Sequence, residues 1–312
     1  MFELWMLPVS LFFGLASLSL AMFWGGSAVS CISELISRFS GNKLLDKFAL
    51  QVSRMSLWGL ILLLCCSLAL LADGMYGPVA GAQWWEAVAA WPKPLWMGWL
   101  VLLGAGAFLQ IITTVSWNAL KKHWKVLHLL LSCLTLLVFA ALSWSGVNGV
   151  FLSMAEAGAE GAGWSVSMMV WPPQAALAWP VFACCLFLCL GGAGITGGMY
   201  LIRRRDKDDF GRDYYQKALP RAAKWGLLFG VQLLVIAQLV FFNRPGRLDQ
   251  AMQADMLLIG LGAVLCFCLQ TLLVFILSRS GTPLRMKATM IGSGLLAWFA
   301  QSLTLLWIVL IL

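Results

Sequence analysis

Five glutamine side chains interrupt long apolar stretches of this chain, at Gln110, Gln232, Gln238, Gln270 and Gln301. A primary amide surrounded by lipid must find a hydrogen-bond partner, so we expect these side chains to face the interior of a helix bundle. Hydrogen bonds between helices would satisfy them. They would also suit a neutral ligand with acceptor oxygens, such as a quinone headgroup, and we expect Gln110 and Gln270 to bind such a cofactor.

Two long segments, residues 73–96 and 143–174, are rich in tryptophan and nearly free of Lys and Arg. Oxidation of a quinol releases protons, which a neighbouring carboxylate can accept. The segments carry three carboxylates of interest, namely Asp73, Glu86 and Glu156. We predict these three as the catalytic proton acceptors, and we predict that Trp85, beside Glu86, contacts the cofactor.

The two histidines, His123 and His128, lie close together at the start of one apolar stretch. Five residues of helix rotate a side chain by about 140°, so the two imidazoles do not share a helix face. A bis-histidine haem needs ligands on facing helices, which these two residues cannot supply. We therefore expect no haem. Ligation of one haem by His128 and a methionine is the alternative, and His128 stays a candidate cofactor-binding residue.

The nine cysteines contain no Cys-x-x-Cys pair and no spacing typical of an iron–sulfur cluster or a zinc site. All of them lie in or at the ends of apolar stretches, where cysteine packs as a small apolar side chain. We therefore predict no metal site.

The composition indicates that these residues are carried by membrane-spanning helices. Of the 312 residues, 61% are hydrophobic and 11% are charged, whereas soluble domains carry about 25% charged residues. So little charge could not cover the surface of the chain in water, which excludes a soluble enzyme, a disordered protein and a secreted disulfide scaffold. Eight apolar stretches are long enough for membrane-spanning helices. They cover residues 5–30, 55–73, 94–117, 125–146, 174–202, 222–242, 254–278 and 288–311.

The basic residues are concentrated in alternate connections between these stretches. Eighteen of the 21 Lys and Arg residues lie in the first, third, fifth and seventh connections or within the first three residues of the stretches that follow them. The positive-inside rule therefore places these connections in the cytoplasm and both termini outside it. The net charge of +8 is explained by this topology and by attraction to anionic membrane lipids. Because aspartates interleave the most basic connection, we expect no nucleic-acid partner.

The second half of the chain repeats the first at an offset of 167 residues. In both copies a glycine-rich helix end leads into a basic connection and then into an Arg-x-x-x-Trp-Gly motif. The matched pairs include Gly25 with Gly192, Asp46 with Asp213, Arg54 with Arg221, Trp58 with Trp225, Gly59 with Gly226 and, after a gap, Gln110 with Gln270. We predict one four-helix repeat in residues 1–150 and another in residues 151–312, related by a pseudo-two-fold axis along the membrane normal.

Two tandem four-helix bundles with outside termini and no cofactor motif resemble the integral membrane subunits of bacterial respiratory oxidoreductases. The architecture is most similar to the membrane anchors of polysulfide and DMSO reductases, with a weaker likeness to cytochrome bd subunits. The resemblance implies a multi-pass protein of the bacterial inner membrane that interacts transiently with menaquinone or ubiquinone. It also implies hetero-oligomeric partner subunits that carry haem or iron–sulfur clusters.

The expected function is therefore that of a quinol-interacting subunit that passes electrons to an extracytoplasmic redox partner and is not an autonomous enzyme. Two alternatives stay open. One is a transporter or channel built from the two parallel repeats, and the other is a membrane anchor with no ligand of its own. The scarcity of carboxylates within the apolar stretches disfavours ion-coupled transport.

Overall fold

The computed structural model describes residues 6–76, 93–156, 175–208, 210–243 and 254–311. Regular structure in these ranges is helical, and no strand occurs in them. In chain order the helices are α1 (Met6–Leu20), α2 (Gly26–Ser40), α3 (Lys43–Tyr76), α4 (Lys93–Val115), α5 (Trp117–His123), α6 (Lys125–Glu156), α7 (Ala175–Arg204), α8 (Arg212–Gly226), α9 (Leu228–Asn243), α10 (Ala254–Arg279) and α11 (Lys287–Ile311). A π-helical segment, Ala21–Gly25, joins α1 to α2, and a short 3-10 helix, Pro283–Arg285, precedes α11.

Eight helical spans within these ranges are long and apolar enough to cross a membrane. They are Leu7–Ser40, Lys43–Ala69, Met97–Val115, Lys125–Val147, Trp179–Arg204, Arg212–Ile236, Met256–Arg279 and Lys287–Trp307. Large apolar side chains stay exposed on them, for example Val101 and Phe108 on α4 and Leu137 on α6. Contact of such surfaces with lipid tails is favourable, whereas their exposure to water would be unfavourable. The prediction of an all-helical protein with eight spans is confirmed. The sides of the termini and the tandem bundles stay predictions.

The helices that flank the basic connections are longer than the apolar stretches indicated. The first span continues to Ser40 instead of residue 30, α3 begins at Lys43 instead of residue 55, and α8 begins at Arg212 instead of residue 222. An apolar stretch marks only the part of a helix that suits hydrocarbon, and amphipathic turns can extend the helix past it. Helix α2 stops where Gly41 has a φ of 65°, a left-handed conformation that favours glycine.

Contacts between residues divide the chain into two compact units. The first comprises Met1–Leu63 and Leu186–Leu312, and the second comprises Leu64–Cys185. Each unit draws on both halves of the sequence. The division into repeats at residue 150 rests on sequence similarity and stays a prediction.

Two apolar clusters form the core of the first unit. One joins α1, α7 and α8 to α9, α10 and α11 around Phe229, Phe267 and Met290. The other joins α2, α3 and α8 around Phe48 and Tyr215. Burial of large side chains of this kind contributes about 1.5–3 kcal/mol each in water-soluble proteins. Within lipid the gain comes from close packing instead.

Glycines bring two helical segments of the first unit into backbone contact. A Cβ atom added to Gly25 would lie 1.8 Å from the backbone oxygen of Cys189 in α7. One added to Gly192 would lie 2.6 Å from a side-chain carbon of the π-helical segment. The two glycines that the repeat matches therefore both lie where the π-helical segment crosses α7. Such a close approach requires residues without side chains.

The second unit contains α4, α5 and α6, together with the end of α3 and the beginning of α7. Phe139 of α6 packs over Gly106 of α4, where an added Cβ atom would lie 2.8 Å from the phenyl ring. The short helix α5 places Trp117 against His128 of α6, with ring centroids 4.4 Å apart. This packing positions the polar side chains described next.

Candidate functional site

Four of the predicted site residues fall where side chains are not described. Trp85 and Glu86 lie outside the described residues. The backbones of Asp73 and Glu156 belong to the last turns of α3 and α6, and their side chains lie outside the described part of the chain. The roles of these four residues stay predictions.

A buried polar cluster lies in the second unit, and it contains the predicted residue Gln110. Gln110 is 3% exposed, and its Nε2 donates a hydrogen bond to the hydroxyl of Thr114 at 3.2 Å. The hydroxyl of Thr113 donates to the backbone oxygen of Gln110 at 3.0 Å. The amide that we predicted to line a ligand site therefore has a partner one turn away on its own helix.

His128 belongs to the same cluster and is fully buried. Its Nε2 lies 3.2 Å from the backbone oxygen of Thr113. Because a carbonyl oxygen only accepts hydrogen bonds, Nε2 carries the proton and donates it. Trp117 contacts the imidazole edge-on, and the ammonium of Lys121 lies 3.9 Å from the centre of the indole.

Gln270, the other predicted amide, lies on α10 in the first unit and is fully buried. Its Oε1 accepts a hydrogen bond from the hydroxyl of Thr271 at 3.3 Å. Its Nε2 has no hydrogen-bond partner among the residues that the structure describes. A buried N–H without a partner costs about 1–3 kcal/mol, so a ligand oxygen that reached it would be strongly favoured.

An apolar groove of about 550 Å³ has Thr271, the neighbour of Gln270, in its lining, and we call it the Thr271 groove. Its lining residues are Leu227, Gly230, Val231, Leu233, Leu234, Phe267, Cys268, Thr271, Leu272 and Phe275. Phe267 packs against Phe229 with ring centroids 5.4 Å apart. Leu234 and Leu272 are 70% and 52% exposed, so the groove is open toward the surface that lipid would cover. The Thr271 hydroxyl is the side-chain oxygen in this lining.

Other amides are also buried in the first unit. Gln232 of α9 is fully buried, and neither its Oε1 nor its Nε2 has a partner within the described ranges. Gln301 of α11 is 7% exposed, and its Oε1 likewise has none there. The side chain of Gln238 is not among those described. Three of the five glutamines, one on each of α9, α10 and α11, therefore have at least one amide atom without a hydrogen-bond partner among the described residues.

One carboxylate is buried within a span. Glu34 of α2 is fully buried, and the guanidinium of Arg38 lies 3.4 Å from its Oε1. Glu34 lies past the first apolar stretch, which ends at residue 30, but α2 continues to Ser40, so the carboxylate lies inside the helix. Pairing with a cation one turn away offsets the cost of burying the charge.

A network that the sequence analysis did not identify connects α3, α7 and α8. Gln51 Nε2 donates to Asp208 Oδ2 at 2.6 Å and to the Tyr215 hydroxyl at 3.3 Å. Gln51 Oε1 accepts from the Tyr214 hydroxyl at 3.1 Å. Arg204 completes the network with an ion pair to Asp208 at 2.8 Å. The adjacent tyrosines beside an aspartate-rich connection were the available signal, but 157 residues separate Gln51 from Asp208.

Metal ligands do not cluster in the part of the chain that is described, where no group of three or more His, Cys, Asp and Glu side chains could hold an ion. The chemistry that this part offers consists instead of buried amides, a buried imidazole and an apolar groove. Comparisons of the chain with protein-family models, with curated proteins and with solved structures find no match.

Proposed function

We propose that this chain is the quinone-interacting membrane subunit of a respiratory electron-transfer complex, and that the quinone ring binds in the Thr271 groove. The observation that carries the proposal is the Thr271 hydroxyl in the lining of an apolar groove, where it is hydrogen-bonded to the buried amide of Gln270, whose Nε2 has no partner among the described residues. Sites for small organic ligands commonly combine a mostly apolar lining with a few polar groups.

The size and surroundings of the groove support this ligand class. A volume of about 550 Å³ falls in the range of about 300–1,000 Å³ that is common for small-molecule sites. Quinones of respiratory membranes dissolve in the hydrocarbon phase, so a site that opens toward lipid suits their entry. Phe267 and Phe275 offer aromatic faces for a flat ring.

The polar groups support recognition of a carbonyl or hydroxyl oxygen. The Thr271 hydroxyl donates its proton to Gln270 Oε1, which leaves its oxygen to accept a hydrogen bond, and the Gln270 amide nitrogen is a donor that lacks a partner among the described residues. A quinone oxygen is an acceptor, and a quinol oxygen also donates. The pair could therefore serve both redox states.

The groove lies in the predicted cytoplasmic half of α10, because Thr271 is eight residues, or about 12 Å, from the end of the helix at Arg279. Protons released there would have a short route to the cytoplasm. Asp73, Glu86 and Glu156, which were predicted outside it, would then serve a different step or a different quinone position. Electrons would pass to a partner subunit, to which the proposal assigns the metal centres.

The proposal is tested by binding of a quinone analogue to the purified full-length chain in lipid nanodiscs. A fluorescent hydroxyquinoline N-oxide is a suitable probe. Thr271→Val removes the hydroxyl while keeping the side-chain shape, and we expect roughly tenfold weaker binding, the effect of one lost hydrogen bond of about 1.4 kcal/mol.

The matched control is Thr304→Val in α11. The Thr304 hydroxyl is buried and bonds to the backbone oxygen of Ala300 at 2.8 Å, and Thr304 does not line the groove. The control should bind the probe as tightly as the unmodified chain. Equal affinities for all three proteins, or no measurable binding to any of them, would contradict the proposal.

A further inference from the structure

A second cavity, of about 180 Å³, lies at the predicted cytoplasmic end of the first unit and is separate from the Thr271 groove. It is lined by the beginning of α3 and by one face of α8. Its lining residues are Asn42, Leu44, Phe48, Tyr214, Lys217, Ala218, Pro220, Arg221 and Lys224. The lining therefore contains three cations and no carboxylate.

The three cations share one face of α8. Lys217, Arg221 and Lys224 are spaced by four and three residues, which places them one above another along a helix. Like charges at these spacings destabilise a helix unless a counter-ion lies between them. No ion pair joins any of the three to another described residue.

The first repeat lacks this arrangement. At the offset of 167 residues, Arg221 matches Arg54, whereas Lys217 and Lys224 match Leu50 and Leu57. The first repeat carries the positive charge of its connection at other positions, with Arg38, Lys43 and Lys47 beside Arg54. The second repeat therefore differs in gathering three cations on the face of α8 that lines the cavity, an arrangement that suits an anionic ligand.

The remaining lining residues define the ligand chemistry. Asn42 Oδ1 accepts a hydrogen bond from the backbone N–H of Leu44 at 3.0 Å, which leaves the Asn42 amide nitrogen to donate. Cationic and amide N–H groups without competing carboxylates are typical of phosphate recognition. We propose that this cavity binds a phosphate group, held by Lys217, Arg221, Lys224 and Asn42.

The phosphate could belong to a lipid headgroup or to a soluble phosphate compound. The apolar part of the lining, with Leu44 and the buried ring of Phe48, favours an anionic phospholipid, whose glycerol and first methylene groups need such a surface. Basic pockets among transmembrane helices on the cytoplasmic side bind anionic headgroups in other membrane proteins. The site does not depend on the proposed quinone function.

The experiment compares two charge-matched double variants of the full-length chain by native mass spectrometry. Lys217→Gln/Lys224→Gln removes two cavity cations, and Lys122→Gln/Lys287→Gln removes two exposed cations outside the cavity. All four lysines are exposed, so both variants should fold. The lipid probe is phosphatidylglycerol, with phosphatidylcholine for comparison. We expect retention of phosphatidylglycerol to fall roughly tenfold in the cavity variant and to change little in the other.

A second arm titrates inorganic phosphate against the lipid-free protein by calorimetry. Binding of phosphate that the cavity variant loses, without selective retention of phosphatidylglycerol, would support the site and identify a soluble phosphate as its source. The proposal would be overturned if both double variants lost ligand binding equally. It would also be overturned if the cavity variant retained phosphatidylglycerol and bound inorganic phosphate as well as the unmodified chain does.

Discussion

At the scale of single residues, the buried polar side chains differ in how far their hydrogen-bonding groups are satisfied. Gln110 has a partner on its own helix, and His128 donates to a backbone oxygen of α4. Gln51 holds Asp208 and two tyrosines together. Gln232 and Gln270 retain groups without partners among the described residues. The first three therefore have structural roles already, and Gln270 has capacity for a ligand.

The Gln51 network predicts a stability defect. Gln51→Leu would remove a donor to Asp208 and an acceptor for Tyr214, both of them in a buried or half-buried setting. Leaving such groups unpaired costs about 1–3 kcal/mol. We expect a lower midpoint of thermal unfolding for the purified protein in detergent. Gln216→Leu is the matched control, because Gln216 is exposed and its bond to the Gly281 backbone oxygen lies at the surface. A midpoint that falls equally for both variants would show that the network adds no stability.

The sequence predicted the burial of the amides, because an amide in lipid has few alternatives. It could not predict which amides are satisfied. Gln110 finds Thr114 four residues away, a local relation that the sequence contains. Gln51 finds Asp208 only after two distant segments have packed, and no periodic pattern encodes that contact.

At the scale of the helices, hydropathy located every span but placed several helix ends wrongly. The helices at the basic connections extend past the apolar stretches, because their amphipathic turns bury one face against neighbouring helices. The cation-lined cavity depends on such an extension, since Lys217 and Arg221 lie in the part of α8 that precedes the predicted stretch. The repeat in sequence, by contrast, did identify Gly25 and Gly192, which both lie at one helix crossing.

The crossing predicts a position-dependent effect of a single methyl group. Gly25→Ala would place its Cβ 1.8 Å from a backbone oxygen of α7, and separating the helices to relieve that overlap should cost about 1–3 kcal/mol or more. Gly104→Ala adds the same methyl group to α4, where nothing lies within 4 Å of it. We expect a clear loss of stability for the first variant in an SDS-unfolding titration and little change for the second. Similar stabilities for the two would argue against backbone contact at Gly25.

At the scale of the whole molecule, the eight helical spans agree with the number that the composition predicted. Their orientation rests on the placement of basic residues. Eighteen of the 21 Lys and Arg residues lie in alternate connections or within the first three residues of the stretches that follow them, and the positive-inside rule converts that bias into a topology. The sequence alone could not reveal the two compact units, because contacts between distant helices determine them.

The topology predicts the activity of reporter fusions. Alkaline phosphatase requires disulfides and folds only outside the cytoplasm, so a fusion after Leu312 should be active in bacterial cells. A fusion after Lys207, in the most basic connection, should be inactive there, while a green fluorescent protein at the same point should fluoresce. The opposite pattern would reverse the assigned orientation and would place the cation-lined cavity outside the cell.

Photolabelling can locate the quinone that we propose to bind in the Thr271 groove. Membranes that contain the full-length chain would be illuminated with a photoreactive quinone, and the labelled peptides would be located by mass spectrometry. We expect labelling within residues 227–234 and 267–275, and excess unlabelled quinone should suppress it. Labelling confined to other segments, or labelling that unlabelled quinone does not reduce, would contradict the proposed site.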